Sequence, residues 1–353
     1  MNTRLTPPLY PLPVSMLDLV AVREGATVAD ALALALRTAR HVEDLGFTRY
    51  WMAEHHNMPG IASSATAVLV GHVAGGTQRI RVGSGGVMLP NHAPLVVAEA
   101  FGTLAELYPD RIDLGLGRAP GTDPLTMRAL RRSRVEAEED FPRDVSELRH
   151  LLSPAHPGQR LVAMPGAGTE VPVWLLGSSL YSARLAGEMG LPYAFASHFA
   201  PRLLHEALEV YRQHFRPSTR MPRPHAMVTA PVVVAPTDAE AALLATSVQQ
   251  RVLGIVTGRR GLLPPPLPGF MEGLHPQERA AIDDFLACAA IGSPSAVRAQ
   301  LERLVQTTEA DELMLVCDVF DPELRLRSLT LAAQAVSALQ REPLAHTQVV
   351  PTA

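Results

Sequence analysis

The chain contains no lysine: all 31 of its basic side chains are arginine. That absence removes chemistries built on a primary amine. Schiff-base aldolases, pyridoxal-phosphate enzymes and P-loop nucleotide hydrolases each need a lysine, to form the imine or to contact the phosphate. Cysteine is almost as scarce. Cys288 and Cys317 are distant in sequence and have no CxxC partner pattern, so they read as reduced packing residues rather than a disulfide or a structural zinc site. Charge of one sign is also lacking. A net −4 over 353 residues gives no basic field for nucleic acid or an anionic membrane, which leaves a small molecule as the expected ligand. No window of about 20 residues is apolar enough to span a bilayer. The first 20 residues, with one arginine and four prolines, resemble neither a signal nor a transit peptide, so a soluble cytoplasmic protein is expected.

What the chain has is a large apolar fraction, 47%, in an alternating pattern. Short apolar runs at 14–20, 48–53, 80–84, 112–116, 173–176, 193–196, 227–234 and 312–317 are separated by longer segments of helical periodicity. Repeated strand–helix units of this kind predict a parallel sheet, and eight of them predict a (β/α)8 TIM barrel, an α/β fold that commonly needs about 250 residues. Helices are expected at 27–45, 94–107, 178–189, 201–215, 238–252 and 322–339, with Gly46 stopping the first and Thr237-Asp238 and Ser293-Pro294 marking starts. Residues 122–168 and 254–277 exceed a minimal barrel and read as insertions after strands four and seven. A single domain over 1–340 with a loose tail at 341–353 is the expected organisation. An open doubly wound sheet is the structural competitor, but its fingerprint is missing, because Pro120 breaks the glycine spacing of 115–121.

In a barrel, chemistry sits where strands end. Glu54-His55-His56-Asn57 follows the second strand, Gly85-Gly86-Val87-Met88 and onward to His92 the third, Arg118 the fourth, Gly177-Ser178-Ser179 the fifth and Ser197-His198 the sixth. Adjacent histidines in extended backbone face opposite ways, so one of His55 and His56 is expected at the mouth and a paired metal site is not. His55 is then either a hydrogen-bonded structural residue or a general acid or base titrating near neutral pH. Gly177-Ser178-Ser179 opening a helix reads as an ordinary N-cap; with Arg118 at the same mouth it becomes a phosphate site. Gly83, Gly85 and Gly86 either form a turn or bulge or let backbone approach a flat ring.

Together, Trp51-Met52-Ala53-Glu54-His55-His56-Asn57, the stretch from Val82 to Pro90, and Arg111 to Arg118 resemble the bacterial luciferase-like monooxygenase family in motif, order and spacing, from the first strand to the final DELMLV run. The nearest likeness is to uncharacterised single-chain members. The resemblance implies a barrel with an insertion after strand seven and reduced FMN at the carboxyl mouth, supplied by a transient flavin reductase. It implies His55 as the catalytic histidine with Glu54 or His56 orienting it. Arg118, Gly177, Ser178, Ser179 and Ser182 fall where the family holds the flavin phosphate, and Gly85, Gly86, Val87 and Met88 where its backbone lies against the ring.

Three departures separate the chain from the light-emitting luciferases: Gly117 in place of a reactive cysteine, Gly177-Ser178 in place of a glutamate, and Asn57 in place of an aromatic. The expected activity is therefore a two-component monooxygenase acting on a small organic substrate, without light emission. The alternatives are F420-dependent hydride transfer, favoured by a basic groove around Arg118, Arg128 and Arg131, or a flavin-binding protein without turnover. A lid is expected at 254–269, where Arg259 and Arg260 read as surface charges, and family precedent with an apolar helix at 62–74 implies a homodimer.

Overall fold

The computed structural model describes residues 10–119, 124–130, 140–337 and 339–341. Eight parallel strands form the barrel: β1 (Val14–Asp18), β2 (Arg49–Met52), β3 (Arg81–Met88), β4 (Ile112–Gly117), β5 (Val173–Gly177), β6 (Tyr193–Phe195), β7 (Ala226–Val234) and β8 (Glu312–Val316). Each pairs with the next, β8 pairs back onto β1 through Leu313 and Val14, and β7 runs beside β8 from Met227–Glu312 to Pro231–Val316, so the sheet closes. The alternation along each strand decides its two faces. Met16, Tyr50 and Met52 point outward into the helical layer, whereas Leu17, Trp51, Trp174, Met227 and Met314 fill the barrel interior.

The helices are α1 (Val28–Asp44), α2 (Thr66–Gly75), α3 (Pro94–Leu107), α4 (Pro124–Ala129), α5 (Phe141–Leu152), α6 (Leu180–Glu188), α7 (Leu204–His214), α8 (Asp238–Val256), α9 (Pro276–Phe285), α10 (Pro294–Thr308) and α11 (Pro322–Val336). Helix α1 starts at a capping box between Thr27 and Asp30 and is followed by Gly46 at φ +83°. Between β4 and β5, α5 packs on α3, and the following loop lies so close to α3 that a Cβ at Gly102 would sit 2.1 Å from the Gly166 Cα.

The excursion after β7 is longer than the sequence suggests. A short strand, Ala290–Gly292, pairs with the end of β7, and α10 then runs beneath it into β8. Helix α8 has the spacing of a barrel helix but belongs to the excursion over the mouth; α10 fills the barrel position. The segment at 257–270 docks on the top of the barrel: the Leu263 N–H donates to Val22 O at 2.8 Å, and the Glu24 N–H donates to Leu263 O at 2.9 Å. Gly60 is required there, since a Cβ on it would meet Gly261 O at 2.0 Å. At the chain ends, Tyr10–Pro11 pairs antiparallel with Gln340–Arg341, and the rest of the expected tail, 342–353, lies outside the described residues.

The floor of the barrel is polar. Asp113, fully buried, accepts from Arg49 Nη1 at 2.8 Å, Arg81 Nη2 at 2.6 Å and Trp51 Nε1 at 3.1 Å. Glu312 accepts from Arg49 Nε at 2.9 Å and lies 3.2 Å from His225 Nε2, while the Arg49 guanidinium stacks 4.8 Å from the Trp174 ring centre. Burial raises the Glu312 carboxyl pKa, but the bonds from His225 and Ser15 and the charge of Arg49 outweigh it and hold it below the ordinary glutamate value. This network lies at the amino ends of the strands and is read as structural.

Candidate active site

The opposite, carboxyl end of the barrel gathers the residues that strand-end reasoning picked out. Glu54, 1% exposed, follows β2 and binds two histidines through one oxygen: His56 Nε2 lies 3.0 Å and His92 Nε2 2.8 Å from its Oε1. Burial would raise the Glu54 carboxyl, but the hydrogen bonds and charges of His56 and His92 prevail and hold it below its usual range. His92, at the end of the loop after β3, was not assigned a role from sequence; its partnership with Glu54 spans 38 residues and is set by the closing of β3 beside β2. The three donor atoms lie within 4.8 Å of one another, close enough to surround an ion. Two imidazole N–H groups on one carboxylate oxygen account for the same spacing.

His55 is half-buried, and its charge bears on His198, which follows β6. Burial first, then the electrostatic effects of His55 and Arg251, push the His198 imidazole down to about 3, so it is neutral across the physiological range. The two adjacent histidines thus serve different neighbourhoods, His56 beside Glu54 and His92, His55 near His198. Asn57 is exposed with φ +54°, a left-handed backbone that asparagine tolerates and bulky residues resist, which gives a backbone reason for the missing aromatic.

Strand β3 continues four residues past the expected end, through Gly85 and Gly86, with its register against β4 slipping between Ser84 and Val87; the Gly85–Gly86 peptide is cis. Packing explains these glycines. A Cβ on Gly86 would meet Gly115 O at 2.7 Å, and one on Gly85 would meet the Leu17 side chain at 2.6 Å. Gly85 and Met88 are partly open, whereas Gly86 is buried and the Val87 side chain packs in the core around the barrel, leaving only their backbone for any ligand contact.

Arg118, directly after β4, is half-buried, and its guanidinium lies 4.3 Å from the centre of the Tyr181 ring in the first turn of α6. The structure therefore brings Arg118 to the helix start that the serines form. Ser179 is the N-cap of α6: its hydroxyl accepts from the Ser182 N–H at 3.3 Å. Ser178 and Ser179 are partly exposed. Ser182 is different: its Oγ donates to Ser179 O at 2.8 Å and contacts the Tyr193 hydroxyl at 3.0 Å, so it fastens the cap from within. Gly177 makes room for it, since a Cβ there would lie 2.3 Å from Ser182 Oγ.

Two further mouth residues escaped sequence reasoning. Arg251 in α8 donates through Nη2 to Asp318, just past β8, in a mostly buried ion pair, and α8 could not be placed over the mouth from periodicity alone. No helix among the described residues is long and apolar enough to cross a membrane.

The family described as luciferase-like monooxygenase matches residues 13–311. An uncharacterised Bacillus subtilis protein, YvbT, is 51% identical over 321 residues, covering 91% of this chain and 95% of its own. A luciferase-like monooxygenase of Escherichia coli K12 is 48% identical over 318 residues, covering 90% and 95%. Among solved structures, apo-MsnO8 aligns with a TM-score of 0.86 at 36% identity, over 94% of this chain and all of that one. The fold alone is shared with a type II Baeyer-Villiger monooxygenase in complex with FMN (TM-score 0.71, 19% identity, 93% and 98% covered) and with an F420-dependent secondary alcohol dehydrogenase (0.68, 16%, 93% and 99%). With its barrel, its strand-end motifs and relatives matched over nine-tenths of its length, this chain belongs to the luciferase-like monooxygenase family.

Proposed function

We propose that this protein is the oxygenating component of a two-component monooxygenase, taking reduced FMN from a separate reductase and using O2 to oxidise a small organic substrate. The observation that carries this reading is the meeting of Arg118, the Tyr181 ring and the Ser179-capped start of α6 at the mouth that also holds His55. Those groups suit a phosphate: a planar guanidinium, free N–H groups in the first helical turn and the positive end of the helix dipole. When bound, reduced FMN supplies the electrons that activate oxygen.

The chain's own residues do the rest. Arg118 holds the phosphate, with the hydroxyls of Ser178 and Ser179 as further donors, and Ser182 keeps the cap in shape. Backbone at Gly85 to Met88 borders the ring. His55 moves a proton at the reacting end, where an imidazole titrates near working pH. Glu54 holds His56 and His92, and so anchors the segment that carries His55. The docked segment at 257–270 excludes water.

The F420 reading asks for a longer basic groove. Arg128 is exposed in α4, while Arg131 lies outside the described residues. The reading further includes a homodimer through the α2–α3 face, where Val68 and Val96 are 70% and 59% exposed, and a cytoplasmic location. The test is a titration with FMN, reduced FMN and F420 under air and under argon. Tight reduced-FMN binding with oxygen consumption supports the proposal; tight F420 binding without oxygen consumption overturns it.

A further inference from the structure

A cavity of about 1050 Å³ lies on the outer wall of the barrel, between the turn that opens α7, the end of α9 and the side of α10. Much of its lining is apolar: Phe199, Leu204, Phe285, Leu301 and Leu304 all face it. Phe199, 47% exposed, ties the cavity to the barrel, because its ring stands edge-on to that of His198 with 4.9 Å between centres. Gln300 fixes the opposite side, its amide exchanging two 3.1 Å hydrogen bonds with the backbone of Ile291. Arg202, in the turn before α7, and Arg303, on α10, line the same cavity, with Asp284 as the one acid in its wall. Neither guanidinium has an ion pair or a hydrogen bond among the described residues, so the wall keeps a net positive charge in a chain whose net charge is −4.

We propose that this cavity is a second ligand site that takes an aliphatic carboxylate, with the chain on the apolar wall and the carboxylate at the arginines. Such a site is independent of the monooxygenase reading, since His55, Arg118 and the Ser179 cap take no part in lining it. Each half of the wall asks for a different part of the ligand. A planar guanidinium fork matches a carboxylate, and two arginines against one aspartate leave one positive charge for one negative charge to balance. Pockets that enclose small ligands commonly measure about 300–1,000 Å³, so the volume here leaves room for a chain much longer than that of acetate. The cavity also carries its own reporter. Cys288 lines it and is partly exposed, whereas Cys317 is fully buried, so alkylation of the native protein reads Cys288 alone.

The test titrates the FMN-loaded full chain with decanoate, 1-decanol and acetate, following heat of binding and the rate at which N-ethylmaleimide alkylates Cys288. Decanoate is expected to bind about 10-fold more tightly than 1-decanol, the difference a charged hydrogen bond supplies, and to slow alkylation about 10-fold at saturation. Acetate should give no protection. Arg202→Gln with Arg303→Gln removes only exposed side chains, so the fold is retained, and should cut the preference for decanoate over 1-decanol below about 3-fold with FMN affinity unchanged. Equal binding of decanoate and 1-decanol, alkylation untouched by decanoate, or a preference that survives the double variant overturns the site. So does alkylation that slows with protein concentration alone, which would show a second copy of the chain covering the cavity.

Discussion

Replacing Arg118 by alanine tests the proposed phosphate site in isolation. The side chain is half-buried and already ordered against Tyr181 at 4.3 Å, so little is lost to ordering when a ligand arrives. A unit charge pair 4 Å apart at an effective dielectric of about 20 interacts by about 4 kcal/mol. Partial exposure screens this, and hydrogen bonds to charged groups contribute about 1.5–3 kcal/mol net. A loss of about 2 kcal/mol is therefore expected, about 30-fold in Kd. Riboflavin, which lacks the phosphate, provides the control. Arg118→Ala should weaken FMN about 30-fold and riboflavin not at all, and the FMN affinity of the native protein should fall with salt more steeply than that of the variant. Equal losses for FMN and riboflavin would show a structural role, and no loss for either would place the phosphate elsewhere.

Other consequences can be measured on the same protein. Asp113→Ala leaves the Arg49 and Arg81 guanidinium groups, 14% and 26% exposed, without their shared partner, and should lower unfolding stability by about 3–5 kcal/mol in a urea titration; a loss below about 1 kcal/mol would mean that the floor network is not structural. Glu54 has a depressed native pKa, so its contribution to stability is complete above the ordinary glutamate value of 4.5 and disappears as pH falls through the lower native value. Glu54→Gln should flatten that acid limb of the stability profile, and an unchanged slope would contradict the assignment. Tyr181→Leu, which removes the ring under Arg118, is worth about 0.5–1 kcal/mol and should weaken FMN a few-fold.

Much of the architecture is legible in the sequence because its signals are local. Period-two alternation places Leu17 and Trp51 inward and Met16 and Tyr50 outward, and the strand ends follow with their polar residues. The excursion after β7 was underestimated for a physical reason: α8 and α10 are both amphipathic enough to cover a barrel strand, and only the pairing of Ala290–Gly292 with the end of β7 tells which one does. At the proposed site, His55, Arg118, Ser178 and Ser179 follow the carboxyl ends of β2, β4 and β5. Ser182 points into its own helix cap, and Gly86 is demanded by β4. His92, Arg251 and Asp318 were invisible because their partners lie 38 and 67 residues away and meet only when the barrel closes.

The most direct test of a flavin-oxygen site with His55 as its proton-handling residue is rapid mixing of the reduced-FMN complex with oxygenated buffer, followed by flavin absorbance. Bound FMN is expected to reoxidise in two resolved phases, slower than free reduced FMN, with His55→Ala changing the lifetime of the second phase by 10-fold or more while FMN affinity stays the same. Single-phase reoxidation indistinguishable from free reduced FMN, or a second phase untouched by His55→Ala, would contradict it.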